Sequence, residues 1–258
     1  MRGISIIDTN SDNILKYGVC GYKDIKKAGY LEKIGWLKDR YKEGMKIKIL
    51  RTENDGTQGM IEYVPGKYCW RPVEASGYMF IHCIFVGFKR VYKDKGYASI
   101  LLDECLKDAK KEKMYGVAVV ARKGPFMAGK ELFIKNGFKV VDTSPPDFEL
   151  LVYIFDSNAS IPKFKVDLDK RQSQYNKGIT IVRADQCPYT VKNVKEISET
   201  ADKTFGIKPN IVNLKNFKEA QDSPCAFGTF CILYDGKVIS HHPISKTRFT
   251  NIMNKILK

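Results

Sequence analysis

Apolar residues along this 258-residue chain follow two periods, and the places where one gives way to the other mark the elements. From 46 to 52 (Lys-Ile-Lys-Ile-Leu-Arg-Thr) apolar and polar side chains alternate, as a strand with one buried face requires, and 58–64 follows after the turn sequence Asn54-Asp55-Gly56, which predicts a hairpin. Pro65-Gly66 interrupts the pattern, a loop containing Cys69-Trp70-Arg71-Pro72-Val73-Glu74 follows, and 78–86 is apolar enough to be a buried strand. The period then changes. Ala98, Leu101, Leu102, Cys105 and Ala109 recur at the three-and-four spacing of one helix face, with Asp103, Glu104, Lys107 and Lys110 on the other. A second buried strand at 116–121 and a helix stopped by Gly137 complete this stretch. Upstream, Ile25, Ala28, Leu31, Ile34, Leu37 and Tyr41 keep helical spacing, but Gly29 and Gly35 interrupt it, which predicts two short helices over 22–44.

Past Phe155 the composition turns polar and rich in Asn, Ser, Pro and Lys, although Ile161, Phe164 and Val166 leave room for a short strand. The expected organisation is a domain over 1–158, a linker over 159–177 and a second domain over 178–258. The second domain reads as strand 179–184, helix 188–205, strand 211–213, a short helix at 217–221, a hairpin over 229–240 around Asp235-Gly236, and a closing helix 246–257.

The segment Lys93-Asp94-Lys95-Gly96-Tyr97-Ala98 bears most directly on chemistry. A glycine at 96 lets the chain turn tightly where a helix begins, so the amides of 95–99 and the positive end of the helix converge on one anion. A strand-to-helix turn with a solvated lysine cluster is the alternative for this segment taken alone. Strand, basic glycine turn, helix, strand, helix and Gly137-Phe138 together form a longer pattern. In that pattern the chain resembles the GNAT superfamily of acetyl-CoA-dependent N-acetyltransferases, whose acyl-carrier motif reads Gln/Arg-x-x-Gly-x-Gly/Ala. Lys93 stands at the Gln/Arg position, and Gly96, Ala98 and Gly137-Phe138 match. The second domain has the order of elements of a thioredoxin-like fold, with Cys187-Pro188-Tyr189-Thr190 where redox members carry Cys-Pro-Tyr-Cys and Gly228 where they place a cis-proline. The two-domain combination resembles the YoaP-type acetyltransferases. The implied fold class is α/β (α+β): a GNAT mixed sheet flanked by helices, then a small thioredoxin-like βαβ-ββα domain.

The resemblance implies acetyl-CoA as cofactor and acetyl transfer to an amine. Backbone groups of Ile84, Phe85 and Val86 would pair with the pantetheine arm, and Lys93, Lys95, Gly96, Tyr97, Ala98 and Ser99 would hold the pyrophosphate. Phe133 stands where many family members have the tyrosine that protonates the departing thiolate, which leaves Tyr92 or Tyr97 for that role. Glu62, central in its strand, is the candidate base, with an ordinary exposed strand glutamate as the alternative. His82 shares parity with Ile84 and Val86, which predicts one common face. Trp70, Arg71 and Glu74 are candidates for acceptor recognition. Asp147 and Glu149 either attract a cationic amine or bracket Phe148.

Charge and cysteine usage narrow the partners. With 44 basic and 29 acidic residues the formal charge is +15, which favours anionic partners. The lysines are dispersed, however, with no basic base-reading helix, zinc finger or RNA-binding aromatic motif, so no nucleic-acid partner is expected. No apolar run approaches the span of a bilayer and the first residues lack a secretory pattern, which predicts a cytoplasmic protein with no membrane partner. Seven cysteines without paired zinc spacing read as reduced thiols, with no metal site. Cys20, Cys69, Cys83 and Cys105 look like packing residues. Cys187, at a helix start, makes a monothiol redox role the second reading, while Cys225 and Cys231 become partners only if the fold brings them together. A non-catalytic acyl-CoA-binding module is the third. The acceptor is a small-molecule or peptide amine, and a homodimer is open.

Overall fold

A computed structural model describes residues 3–22, 24–87 and 89–258. The chain divides into two compact units, one formed by Met1–Ile25, Ile34–Cys69 and Val73–Phe164, the other by Lys26–Lys33, Trp70–Pro72 and Lys165–Lys258.

The first unit contains β1 (Ile4–Thr9), α1 (Ile14–Tyr17), most of α2 (Tyr30–Lys42), β2 (Lys46–Thr52), β3 (Gly56–Pro65), β4 (Val73–Glu74), β5 (Tyr78–Val86), α3 (Tyr97–Lys111), β6 (Gly116–Ala121), α4 (Lys130–Lys135), β7 (Lys139–Ser144), β8 (Phe148–Ile154) and β9 (Lys163–Phe164). Its large sheet runs β1-β2-β3-β5-β6-β8-β7, and every neighbouring pair is antiparallel except β5 and β6. That parallel pair is joined through α3, as a parallel connection demands. Leu101, Leu102, Cys105 and Ala109 of α3 are buried against Leu50, Ile61, Tyr63, Met79, Ile81, Ile84, Val117 and Val119. The polar face of α3 is not simply solvated. Lys48 of β2, only 5% exposed, reaches Glu104 (3.2 Å) and Asp108 (3.4 Å), Lys46 reaches Asp108 (3.1 Å), and the Tyr63 hydroxyl donates to Asp108 at 2.6 Å. Paired charges make the burial of Lys48 tolerable and fix the helix over the hairpin.

One helix replaces the two predicted over 22–44. Gly35 lies inside α2, where an added Cβ would meet nothing within 4 Å, and Ile34, Trp36 and Leu37 are buried. Tertiary burial outweighs the cost of one glycine in a helix. Strands β1, β7 and β8 extend the sheet beyond the elements the pattern predicted.

The second unit contains α5 (Leu168–Gln172), β10 (Ile179–Arg183), α6 (Tyr189–Phe205), β11 (Asn210–Asn213), α7 (Phe217–Gln221), β12 (Phe230–Tyr234), β13 (Lys237–Ser240) and α8 (Lys246–Ile256). Its sheet runs β11-β10-β12-β13, with β10 parallel to β11 and antiparallel to β12, and β12 antiparallel to β13. Ile181, Val182, Phe230, Cys231, Ile232, Ile197, Phe249 and Met253 are buried, so the sheet and the inner faces of α6 and α8 supply its core. Residues 159–177, expected as a linker, include β9, which pairs Phe164 with Val73, and the short helix α5. No helix among the described residues is long and apolar enough to cross a membrane.

Candidate functional site

The helix that follows β5 starts at an open glycine. Gly96 has a left-handed backbone (φ +78°) and precedes the first turn of α3, and an added Cβ there would meet nothing within 4 Å. Its carbonyl accepts from the Ile100 amide at 3.2 Å, which begins the helical ladder. The amides of Lys95, Gly96, Tyr97, Ala98 and Ser99 have no hydrogen-bond partner among the described residues. The first N–H groups of any helix lack intrahelical acceptors, and here they are combined with exposed Lys93 and Lys95. Such an arrangement binds a multiply charged anion through oriented dipoles and ammonium charge. The stem of Lys93 lies where a side chain on Gly87 would be, so the basic turn folds back onto the end of β5.

Strand β5 changes character halfway along. It pairs with β6 only from Tyr78 to Ile81, while β6 continues on β8 as far as Ala121. On its other side β5 pairs with β3 to its end, but the register shifts: Tyr63 faces Ile81 and Glu62 faces Cys83, leaving His82 as the extra residue of a bulge. The bulge corrects the parity expected from sequence. Ile84 joins Met79 and Ile81 in the core beneath α3, whereas His82 lies beside Phe80 (ring centroids 5.7 Å) and Trp36 (6.4 Å). A one-residue insertion flips every later side chain, and nothing in the sequence announces it.

Glu62 was expected on an accessible face and is instead wholly buried, with its Oε1 3.7 Å from His82 Nδ1. Burial pushes the nearby Tyr41 hydroxyl up to about 12; its hydrogen bond with Thr9 works the other way, and the negative charge of Glu62 adds to the rise. Glu62, His82 and Tyr41 thus form an interior polar group next to the bulge.

Tyr97, the first residue of α3, is half-buried, with its ring 6.2 Å from that of Tyr92. Among the described residues its hydroxyl has no hydrogen-bond partner, while the Tyr92 hydroxyl donates to Asp55 at 2.5 Å. Lys89 also bonds to Asp55, and these two donors, Lys89 first, hold that carboxyl below its usual range. The Asp55 contacts tie the β2–β3 turn to the segment before Gly96. Sequence reasoning assigned Asp55 only to a turn and missed this tie, because a pair separated by 34 to 37 positions leaves no local signal. Phe133 is fully buried and meets Phe138 edge-on at 5.6 Å, so its side chain belongs to the core.

The three residues suggested for acceptor recognition lie in different surroundings. Trp70 and Arg71 belong to the second unit and are 0% and 2% exposed. Arg71 donates to the Trp70 carbonyl and to Thr229 Oγ1, both at 3.1 Å, and lies 5.0 Å over the Phe227 ring. Neither side chain is the open loop residue expected. Glu74 is exposed on β4 and pairs with Lys163 at 3.4 Å. A cavity of about 580 Å³ lies between α4 and the β7–β8 loop, lined among others by Lys130, Asp147, Phe148 and Glu149. Of its three carboxylates, Glu131 among them, Glu149 is paired with Lys130 (2.8 Å) and Asp147 with Arg122 (2.5 Å), so a cationic amine would have to displace a side chain to reach either of those two.

In the second unit, Cys187 is half-buried just before α6, and Thr190 stands where a second cysteine would complete a vicinal pair, its hydroxyl donating to the Cys187 carbonyl at 2.8 Å. The backbone of Gly29 lies directly on this turn: an added Cβ would fall 2.0 Å from the Pro188 carbonyl oxygen. Gly228, at the position of the expected cis-proline, is approached as closely, with the Trp70 carbonyl oxygen 2.4 Å from where its Cβ would be.

Known proteins share parts of this sequence and geometry. A family model described as YoaP-like matches residues 210–251. The protein named "Uncharacterized N-acetyltransferase YoaP" from Bacillus subtilis (strain 168) is 32% identical over 254 residues, covering 97% of this chain and 98% of that one. Among solved structures, a ribosomal-protein-alanine N-acetyltransferase from Brucella melitensis is 16% identical, over 58% of this chain and 99% of its own, with a TM-score of 0.43. The PaiA N-acetyltransferase from Thermoplasma acidophilum, in complex with coenzyme A, is 18% identical over 59% and 99%, with a TM-score of 0.38.

Proposed function

The chain belongs to the YoaP-type N-acetyltransferases, and we propose from that premise that it transfers the acetyl group of acetyl-CoA to a primary amine by direct attack. The observation that carries the reading is the open Gly96 turn, whose five successive amides have no partner among the described residues and whose lysines are exposed. Lys93, Lys95, Gly96, Tyr97, Ala98 and Ser99 hold the pyrophosphate, and the backbone of Ile84, Phe85 and Val86, past the point where β5 leaves β6, receives the pantetheine arm. When bound, the cofactor supplies a thioester whose carbonyl carbon is open to an amine.

Glu62 is the proton acceptor, with His82 at 3.7 Å as its partner in the interior of the sheet. Its carboxylate takes the proton that the attacking amine gives up, directly or through water. Tyr97 is the proton donor to the departing thiolate, since Phe133 has no proton to give and the Tyr92 hydroxyl is engaged by Asp55. A thiolate is a good leaving group, so this donor matters less than the base. The acceptor is a small-molecule or peptide amine.

The second unit we read as thioredoxin-like, a reading supported by its strand order and directions. Thr190 in the place of a resolving cysteine favours a binding or scaffold role for the Cys187 turn over a vicinal-disulfide oxidoreductase.

Acetyl-CoA turnover against a broad panel of amines tests the proposal. Thiol release with at least one amine is expected, and Glu62→Gln should lower kcat by about 10² to 10⁴, the range of a general base. Coenzyme A binding with no thiol release against any amine would replace transfer by a binding role. Unchanged turnover in Glu62→Gln would remove Glu62 as the base.

A further inference from the structure

The second unit holds a sulfur cluster that acetyl transfer does not use. Cys225 stands in the loop between α7 and β12, and a turn in which the Gly228 amide donates to the Cys225 carbonyl (2.8 Å) returns that loop to the sheet. Ile232 of β12 pairs with Ser240, the last residue of β13, so Cys231 and His241, which follows the strand, are the next residues outward along the two segments. The three side chains meet there. Cys225 Sγ lies 3.2 Å from His241 Nδ1, and the Cys231 thiol is hydrogen-bonded to the Cys225 sulfur. The neighbouring imidazole, His242, has its Nδ1 2.9 Å from the Pro243 carbonyl. Among the described residues no group of three or more His, Cys, Asp or Glu side chains is arranged to hold a metal ion, so the cluster is not read as a metal centre.

The two sulfurs are in unequal states. Burial alone pushes the Cys225 thiol up, but hydrogen bonds from Cys231 and His241, and the charge of His241, reverse this and bring it down to about 5. Burial and the adjacent Cys225 sulfur push Cys231 well up. The surroundings thus favour the thiolate on Cys225 and the protonated thiol on Cys231, which is the asymmetry of a reactive dithiol.

We propose that Cys225, Cys231 and His241 form a dithiol centre that reduces small hydroperoxides. His241 takes the proton of the Cys225 thiol, the sulfur attacks one oxygen of hydrogen peroxide, an S–O bond forms and the O–O bond breaks, and the departing hydroxide receives that proton back from the ring and leaves as water. The Cys231 sulfur then attacks the Cys225 sulfenic acid, the S–O bond breaks, and the hydroxide leaves with the Cys231 proton as a second water. The two thiols lose two electrons to the peroxide and end as one disulfide. The disulfide forms when the two sulfurs close to about 2.05 Å. Cys225 is only 1% exposed, so the oxidant must be small, and the half-buried His241 is the member of the cluster nearest solvent.

The test uses the reduced full-length protein, hydrogen peroxide and non-reducing peptide mapping. A Cys225–Cys231 linked peptide is expected, with two of the seven thiols lost and Cys187 still alkylatable. In Cys231→Ser the reaction should stop at a Cys225 sulfenic acid that dimedone traps, and His241→Asn should slow Cys225 oxidation at least tenfold while the far-UV spectrum is kept. The proposal is overturned if Cys187 is oxidised while Cys225 and Cys231 remain alkylatable after unfolding, or if Cys225 reacts no faster than a free cysteine in solution. The wild-type peptide map decides the matter even if a variant does not fold.

Discussion

Gly96 of the first unit and Gly228 of the other are both glycines with positive φ. Their surroundings are opposite. Around Gly96 there is nothing within 4 Å of an added Cβ, and the amides that follow have no partner among the described residues. Around Gly228 the backbone of Trp70 and Arg71 fills the space, as the backbone of Pro188 does beside Gly29. A glycine whose room is taken is fitted to the protein itself, whereas the open turn at Gly96 leaves space that a ligand can enter. On this ground the turn before α3 is the proposed seat of acyl-carrier binding, while the Cys187 end of the second unit is treated as packed structure.

The contrast can be broken most severely at Gly228. Gly228→Ala places a methyl group 2.4 Å from the Trp70 carbonyl oxygen. Together with left-handed strain it should cost about 3 kcal/mol in chemical denaturation, from about 1–2 for the backbone and 1–3 for overpacking. An unchanged midpoint would show that Trp70 and Arg71 do not hold Gly228 as described. Gly96→Asp sharpens the other side. It puts a carboxylate where phosphate is proposed to sit and should raise the KM for acetyl-CoA by about 10- to 100-fold, with the fold intact by circular dichroism. Gly96→Ala, which meets no atom, should cost only about 1 kcal/mol of stability, the left-handed penalty alone.

A smaller effect concerns the support beneath the turn. The Lys107 hydrogen bond, followed by that of Lys48 against the opposing effect of burial, holds Glu104 below its usual range. Burial raises the Asp108 carboxyl, but Tyr63, Lys46 and Lys48 together outweigh it and bring it down. Groups depressed in the folded state contribute stability that is present above their unfolded values, about 4, and lost as pH falls through the lower folded ones. Unfolding midpoints should therefore drop on acidification below pH about 4, and Asp108→Asn should flatten that drop. A slope unchanged by the substitution would detach the clamp from acid stability.

Much of this fold was legible because its periods are local. The strands at 46–52, 78–86 and 116–121 and the short helix at 217–221 occur at those positions, since alternation and apolar runs are properties of neighbouring residues. The Gly96 turn was legible for the same reason, being a local sequence with a local conformation. What escaped depended on distant partners. The bulge at His82 exists only relative to β3, Glu62 is buried only because other elements cover β3, and Arg71 meets Thr229 across 158 positions. Cys225, Cys231 and His241 were visible as residue types, but only the return of the β12 loop brings them together. The single α2 shows the converse, tertiary burial overriding the local propensity of Gly35.

The central claim is that the amides of 95–99 bind the phosphates of the acyl carrier, and amide proton and nitrogen shifts during a coenzyme A titration test it most directly. Large, saturable shifts confined to Lys95–Ser99 and the end of β5, absent in Gly96→Asp, are the predicted result. Saturating coenzyme A that leaves those resonances in place while others move would contradict it.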